Sequence, residues 1–360
     1  MRILHLIESL EFGGAEKVAI DLANETAKRH EVTICCVKKI GDLHATVDSS
    51  IRVLCLEKGE GNDYLVPFRL AKILRQLQID VLHAHNWGVF LEAALAGLFA
   101  KTPVLIETVH GPYMDYAPGI SSQLKRKLRH RFEKLFASRF FKIVTVSDSI
   151  RQYICNEIGI HAGRLVTIHN GIQTQSIEPK QVGKNEVICI TVGRLAGIKN
   201  QTLMLRAFAL VRDTNSRLWL VGDGPERARL EAMALDLGLS KRVTFVGFRH
   251  DVADLLAQSD IFLMSSHYEG VSIAVLEAMR ARLPVIGTRV GGMPETVNER
   301  TGILVEPGDV HAMSSALDRL IGSPVLRRTL GAAGNEFLQL EFSIQNMVAR
   351  YELLYEGKPA

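Results

Sequence analysis

Short apolar runs alternate with segments whose apolar positions recur at helical spacing along nearly the whole chain. That alternation is the pattern of parallel α/β sheets. In the first half it predicts strands over 3–7, 32–37, 53–56, 81–85, 104–108, 142–146 and 165–168, with helices over 15–28, 68–77 and 91–100 between them. The rhythm breaks across 173–185, a polar stretch without periodicity, which reads as a linker. It restarts with strands over 187–192, 218–221, 244–246, 261–264, 285–287 and 303–305. Beyond Pro324 only helical spacing remains, ending over 344–354. The expected architecture is two parallel-sheet domains with a cleft between them, ligands binding at the carboxyl ends of the strands.

The segment 265–279 concentrates the polar chemistry. A buried strand runs out into Ser265-Ser266-His267-Tyr268-Glu269-Gly270-Val271-Ser272, and a helix opens near Ser272. Glu269 sits on the turn and Glu277 inside the helix. Between them lie the first free N–H groups of that helix, a ready anion site. At about 1.5 Å per residue, Glu277 stands roughly 7–8 Å along the axis. The two carboxylates are therefore spaced to hold hydroxyls on either side of a diphosphate, a sugar at one end and a ribose at the other.

Length and composition narrow the alternatives. A chain of 360 residues divides naturally into two domains, each able to bury its own core. A net charge of +4 does not by itself point to nucleic acid. Five cysteines (Cys35, Cys36, Cys55, Cys155, Cys189) form no metal-ligand spacing and read as buried reduced thiols. An odd count without a framework favours a reducing compartment, hence a cytoplasmic location. The apolar start at Ile3–Ile7 reads as a first strand and not a signal peptide. No apolar run approaches the length of a membrane span.

Other motifs fall at strand ends of the second half. Arg194, within Gly193-Arg194-Leu195, and Lys199 can both reach a diphosphate, the first as a fork and the second as a point charge, or else be solvated surface cations. Gly222-Asp223-Gly224-Pro225-Glu226 is a tight turn into a helix that Pro225 is expected to start. The backbone of Gly247-Phe248-Arg249 can wall a base pocket, and Gly291-Gly292-Met293-Pro294-Glu295 can approach a ligand closely.

Taken in order and spacing, these motifs resemble the retaining family 4 (group 1) glycosyltransferases. The likeness rests on Glu269 and Glu277 with seven residues between them, and with Gly270 and Ser272 in place; on Gly193-Arg194-Leu195 with Lys199; on the glycine turns at 222–225 and 291–295; and on Gly302-Ile303-Leu304-Val305-Glu306-Pro307-Gly308-Asp309. The first half adds Gly13-Gly14-Ala15-Glu16, His83 and His85, Thr108 with His110-Gly111, Val146-Ser147-Asp148-Ser149 and His169-Asn170-Gly171-Ile172.

The resemblance implies the GT-B fold: an acceptor-binding domain over 1–175, a nucleotide-sugar domain over 186–340, and a C-terminal helix over 341–360 packing back on the first domain. It implies transfer of a hexose-type sugar from a UDP- or GDP-linked donor to a saccharide or lipid-linked hydroxyl in bacterial surface polysaccharide assembly. By the resemblance, Arg194 and Lys199 neutralise the leaving diphosphate. Glu277 holds the ribose, Glu269 the sugar hydroxyls, and the amides near Val271 and Ser272 face the phosphates. Gly14 lets the loop after the first strand approach the donor phosphate, and His110 contacts the sugar near the reacting carbon. No metal or other cofactor is implied, and no Asp-x-Asp stands at a strand end.

Two other functions belong to different classes: a sugar-nucleotide epimerase of the same fold, and a binding protein that kept only the donor pocket. A dehydrogenase is disfavoured, because no Gly-x-Gly-x-x-Gly follows a strand. His83 and His85, at the end of an apolar strand, read as structural, and His5, His44, His161 and His250 as ordinary. Residues 121–142 carry eight Lys and Arg against Glu133 alone, with Leu124, Leu128, Phe132, Leu135 and Phe136 at helical spacing. Such a helix either packs its apolar stripe on its own domain or docks on the anionic inner face of a membrane.

Overall fold

A computed structural model describes residues 1–11, 13–59, 61, 63–111, 120–178 and 186–359, with the backbone alone over 120–125. Residues 60, 62 and 112–119, and 179–185 of the expected linker, lie outside that set.

The chain forms two compact units, Met1–Gly171 with Ile344–Ala360, and Ile172–Ser343. The first contains β1 (Arg2–Ser9), α1 (Gly14–Ala27), β2 (Glu31–Lys39), β3 (Arg52–Cys55), α2 (Val66–Gln76), β4 (Val81–His85), α3 (Phe90–Ala100), β5 (Val104–Val109), α4 (Ile120–Ala137), β6 (Lys142–Thr145), α5 (Asp148–Tyr153) and β7 (Leu165–Thr167). The second contains β8 (Ile188–Val192), α6 (Gln201–Ala209), β9 (Arg217–Val221), α7 (Arg227–Asp236), β10 (Val243–Gly247), α8 (Val252–Ala257), β11 (Ile261–Met264), α9 (Ile273–Arg280), β12 (Val285–Thr288), α10 (Met293–Thr296), β13 (Gly302–Val305), α11 (Val310–Ile321) and α12 (Pro324–Glu341). A last helix, α13 (Ile344–Tyr355), returns to the first unit.

Both sheets are parallel, in the order β3-β2-β1-β4-β5-β6-β7 and β10-β9-β8-β11-β12-β13. Their central strands are buried on both faces, as β4, β11 and β12 are throughout. Helices therefore cover each side, and the strand sequences read as continuous apolar runs rather than alternating ones. In the first unit β3→β4, β4→β5 and β5→β6 all advance in one direction across the sheet, so right-handed crossovers place α2, α3 and α4 on one face. The β1→β2 step runs the other way and puts α1 opposite, where α13 packs against it. Tyr351, Leu354 and Tyr355 of α13 are fully buried, which anchors the returning helix.

The division between units falls ahead of the polar run expected to link them. Ile172 N–H donates to the Phe342 carbonyl at 3.0 Å and Ile177 N–H to the Arg280 carbonyl at 3.1 Å. Ser176 Oγ donates to Asn335 Oδ1 at 3.0 Å. Residues 172–178 are thus tied by backbone and side-chain hydrogen bonds to α9, α12 and the residue after it, and belong to the second unit.

Candidate functional site

In the second unit β8 and β11 are neighbours at the centre of the sheet, so the loops that leave them run side by side. His267 N–H donates to the Ile198 carbonyl at 2.8 Å. Ser265 Oγ donates to the Lys199 and Asn200 carbonyls at 3.0 and 2.9 Å. This stitching brings Lys199 Nζ to 2.6 Å from Glu269 Oε1. Ser266 Oγ donates to the same oxygen at 2.5 Å. Oε2 carries neither bond. Glu269 is 8% exposed, so its charge is held in a partly desolvated place where a neighbouring cation counts for more than in water.

The backbone behind Glu269 is fixed by a glycine. Gly291 has φ +50°, and a Cβ there would lie 2.0 Å from the Glu269 carbonyl oxygen. Gly292 N–H donates to that oxygen at 2.8 Å. A second close approach knits the first strand ends. Gly222, at φ +130°, would put a Cβ 2.1 Å from the Gly193 carbonyl oxygen, and its N–H donates to the Gly247 carbonyl at 2.8 Å. The ends of β8, β9 and β10 thereby pack main chain against main chain. Arg194 projects from this edge as an exposed residue, its carbonyl accepting from Gln201 Nε2 at 3.0 Å.

Helix α9 begins directly beyond Glu269. Ser272 is its N-cap, but the side chain makes no capping bond. In α5, α11 and α12 the cap side chains of Ser147, Asp309 and Ser323 each accept from a backbone N–H. The amide donors and positive dipole end at the start of α9 are thus not capped by the side chain of Ser272. Glu277 lies in the second turn of α9 and is half-buried. Arg194, Lys199, Glu269, Gly270, Val271, Ser272 and Glu277 therefore all belong to the carboxyl edge of one sheet.

Other expected residues take different places. Gly193 and Gly247 serve as backbone contacts, as described. Phe248 is exposed and meets His250 edge-on at 5.0 Å. Arg249 forks onto Asp251 with bonds of 2.7 and 2.6 Å. Helix α7 starts at Arg227, two residues beyond Pro225, because Glu226 N–H is drawn to the Leu195 carbonyl. A cavity of about 320 Å³ lies beside the Lys199 loop, but its cation, Arg229, is already bonded to Glu226 and Thr202.

In the first unit Gly14 is the exposed first residue of α1. His110 stands just past β5 and is joined to His83 and His85, read from sequence as structural, and to His5, read as ordinary. His5 faces His83 in the β1–β4 register. His5 Nδ1 lies 3.0 Å from His85 Nε2, and His85 Nδ1 lies 3.4 Å from His110 Nε2. His83 bonds Tyr355 Oη at 2.8 Å and Thr108 Oγ1 at 2.7 Å, and Thr108 also bonds Tyr351 Oη at 2.9 Å. Burial depresses all four rings: His5 to about 3, His110 to about 4, His83 and His85 well below the ordinary 6.5. They are neutral wherever the protein is folded at ordinary pH.

His5, His83 and His85 offer ligand atoms within 4.8 Å of one another. Both His83 nitrogens, His5 Nδ1 and both His85 nitrogens are nevertheless engaged with protein partners. The arrangement is a hydrogen-bonded wire rather than an open coordination shell. Only the rule that parallel neighbours pair in register could have joined His5 to this group from sequence. Ser266 and Asn86, whose Oδ1 accepts from His110 N–H at 3.1 Å, carry no sequence signal of their own.

Comparison with known proteins decides what such an edge belongs to. The family described as Glycosyltransferase Family 4 matches residues 12–176, and that described as Glycosyl transferases group 1 matches 173–337. The chain belongs to the group 1 glycosyltransferases. It is 26% identical over 366 residues to N-acetyl-alpha-D-glucosaminyl L-malate synthase of Bacillus anthracis, covering 95% of this chain and 93% of that one. It is 25% identical over 382 residues to the UDP-Gal:alpha-D-GlcNAc-diphosphoundecaprenol alpha-1,3-galactosyltransferase of Escherichia coli, covering 99% and 96%. Among solved structures, Anabaena Alr3699/HepE in complex with UDP-glucose superposes with a TM-score of 0.85 at 21% identity, over 99% of this chain and all of that one. At that identity the likeness speaks for the fold, two Rossmann-like parallel-sheet domains in the GT-B class. No helix among the described residues is long and apolar enough to cross a membrane.

Proposed function

We propose that this glycosyltransferase moves a hexose-type sugar, with retention, from a UDP- or GDP-linked donor to a hydroxyl of a saccharide or lipid-linked saccharide. The observation that supports it most is the convergence of Lys199, Glu269 and Ser266 beside the uncapped start of α9. Breaking a sugar–phosphate bond leaves positive charge on the sugar and negative charge on the diphosphate. Cations and amide dipoles already in place at that diphosphate stabilise the transition state without reorganising.

In this reading Arg194 and Lys199 take the diphosphate together with the α9 amides near Gly270, Val271 and Ser272. They supply the positive charge for which other enzymes use a divalent ion. Glu277 takes the ribose hydroxyls, and the Gly247–Arg249 segment the base. Glu269 accepts hydroxyls of the transferred sugar through Oε2 and orients the ring, while the acceptor attacks on the face the phosphate leaves. Gly14 and His110 are carried into the proposal from the family resemblance, Gly14 toward the donor phosphate and His110 toward the sugar. The name of the Escherichia coli relative specifies a UDP-linked donor and a diphosphoundecaprenol-linked acceptor, which supports both halves of the reaction.

A panel of UDP- and GDP-sugars, scored by thermal shift and by slow donor hydrolysis with and without chelator, tests the proposal. Stabilisation by one donor class and chelator-insensitive release of its nucleoside diphosphate is the expected result. No stabilisation by any nucleotide sugar, or full dependence on added divalent ion, would contradict it.

A further inference from the structure

Helix α4 leaves a large part of its apolar surface outside its domain. Leu128, Phe132 and Leu135, spaced i, i+4 and i+7, form one stripe and are 53%, 42% and 66% exposed. The face turned inward carries buried Ala137 and half-buried Phe136 together with an ion pair: Arg129 Nε donates to Glu133 Oε1 at 2.6 Å, and Glu133 is fully buried. Arg129 also donates to the Trp87 carbonyl at 3.0 Å. Roughly half of the surface of this apolar stripe is thus left outside the fold. Beside it runs a parallel stripe of exposed Lys127, Arg131 and Lys134.

The same pairing of features extends along the layer. α3 packs on α4 and α2 on α3. Exposed Phe68 of α2 stacks on Phe99 of α3 at 4.9 Å, with Tyr64 and Leu65 exposed just before it. Helices α2, α3 and α4 together carry nine Lys and Arg against two Glu, a net +7 where the whole chain is only +4. The rest of the molecule is thus net negative, and the positive charge is gathered on this layer.

We propose that this layer docks on an anionic lipid bilayer, the α4 stripe entering the headgroup boundary and the basic stripe meeting lipid phosphates. A bilayer of that kind offers both partners the surface lacks, negative charge for the cations and an apolar interior for Leu128, Phe132 and Leu135. A second copy of the chain would supply apolar area but would bring two layers of like charge together. A polyanion such as nucleic acid would meet the charge but leave the apolar stripe wet.

The test is co-sedimentation of the full chain with vesicles of phosphatidylglycerol mixed with phosphatidylcholine, against vesicles of phosphatidylcholine alone. Wild-type protein is expected in the pellet only with the anionic vesicles, and to be released at about 1 M salt, where the Debye length falls to about 3 Å. Phe132→Ser with Leu135→Ser, and separately Arg131→Glu with Lys134→Glu, should each weaken partition by roughly tenfold or more. Both pairs are exposed, so melting temperature and donor hydrolysis in solution should not move. Equal binding to neutral vesicles, or variants that sediment like wild type, would overturn the proposal. So would a dimer in light scattering that the serine pair dissolves, since the stripe would then belong to a second copy.

Discussion

The two units present the same kind of sheet edge and fill it in opposite ways. At the carboxyl edge of the second, β8, β9 and β10 end in main chain packed on main chain, with glycine where a Cβ has no room. Charged groups are left standing on it: Arg194 exposed, Lys199 bonded to Glu269 and the start of α9 uncapped. Toward the same end of the first unit's sheet, from mid-strand His5 and His83 to His85 at the end of β4, the interior is packed with neutral rings locked to Tyr355, Thr108 and His110. One edge keeps charged and polar groups at its rim. The other excludes charge from the core and offers a single half-buried histidine at its margin. A parallel sheet thus fixes where chemistry is placed, while the residues at the strand ends decide which chemistry it is.

The largest effect should come from the charged edge. Lys199→Ala and Glu277→Ala are each expected to lower donor turnover by about 10²–10³-fold or more, with an unchanged far-ultraviolet spectrum and melting curve. Full activity in either would remove the second unit's edge from the account. Gly291→Ala tests whether the backbone, and not only the charge, makes that edge. Its Cβ would collide with the Glu269 carbonyl in a left-handed conformation, so roughly 2 kcal/mol or more of stability should be lost in urea titrations, along with turnover. A fully active, equally stable variant would show that Glu269 needs no such support.

Smaller effects should separate the neutral edge. An unfolded chain protonates each histidine near pH 6.5, whereas the folded wire resists until far lower pH. The rings' contribution to folding stability is therefore complete above pH 6.5 and is lost as the pH drops toward 4, with a slope of up to about 1.4 kcal/mol per pH unit for each ring. His83→Leu should flatten that slope and cost roughly 2–4 kcal/mol at pH 7, because the Tyr355 and Thr108 hydroxyls lose their partner. An unaltered pH profile would mean the rings are not buried as described.

The smallest effect concerns Glu107 on β5, fully buried with neither carboxylate oxygen bonded. Desolvation, reinforced by Glu133, holds it well above the usual carboxylate range. The unfolded chain ionises near 4.5 and the folded one does not, so its cost grows as the pH rises above that value. Glu107→Gln should stabilise the protein by about 1–2 kcal/mol at pH 7 and have little effect near pH 4. Equal effects at both pH values would contradict the assignment.

Much of this contrast was legible in the sequence, and the reasons differ by element. Strands such as Ile261–Met264 and Val285–Thr288 are buried on both faces, so apolar runs alone marked them. The charged edge was legible because its residues cluster in short motifs around Gly193, Glu269 and Gly291. The neutral edge was not. His5, His83, Tyr351 and Tyr355 are far apart in the chain and meet only through strand register and a helix that returns after the second unit. The outward apolar stripe of α4 was ambiguous for a related reason. Periodicity fixes which residues share a stripe, but the buried Arg129–Glu133 pair, invisible in sequence, decides which way the stripe faces.

Calorimetric titration of UDP and of GDP into the wild-type protein and Lys199→Ala tests the charged edge most directly. One of the two nucleotides should bind the wild type, with affinity that falls as salt is raised, and bind Lys199→Ala roughly 10–100-fold more weakly. Affinity unchanged by the substitution, or binding of neither nucleotide, would contradict the donor site placed on the edge formed by β8, β11 and α9.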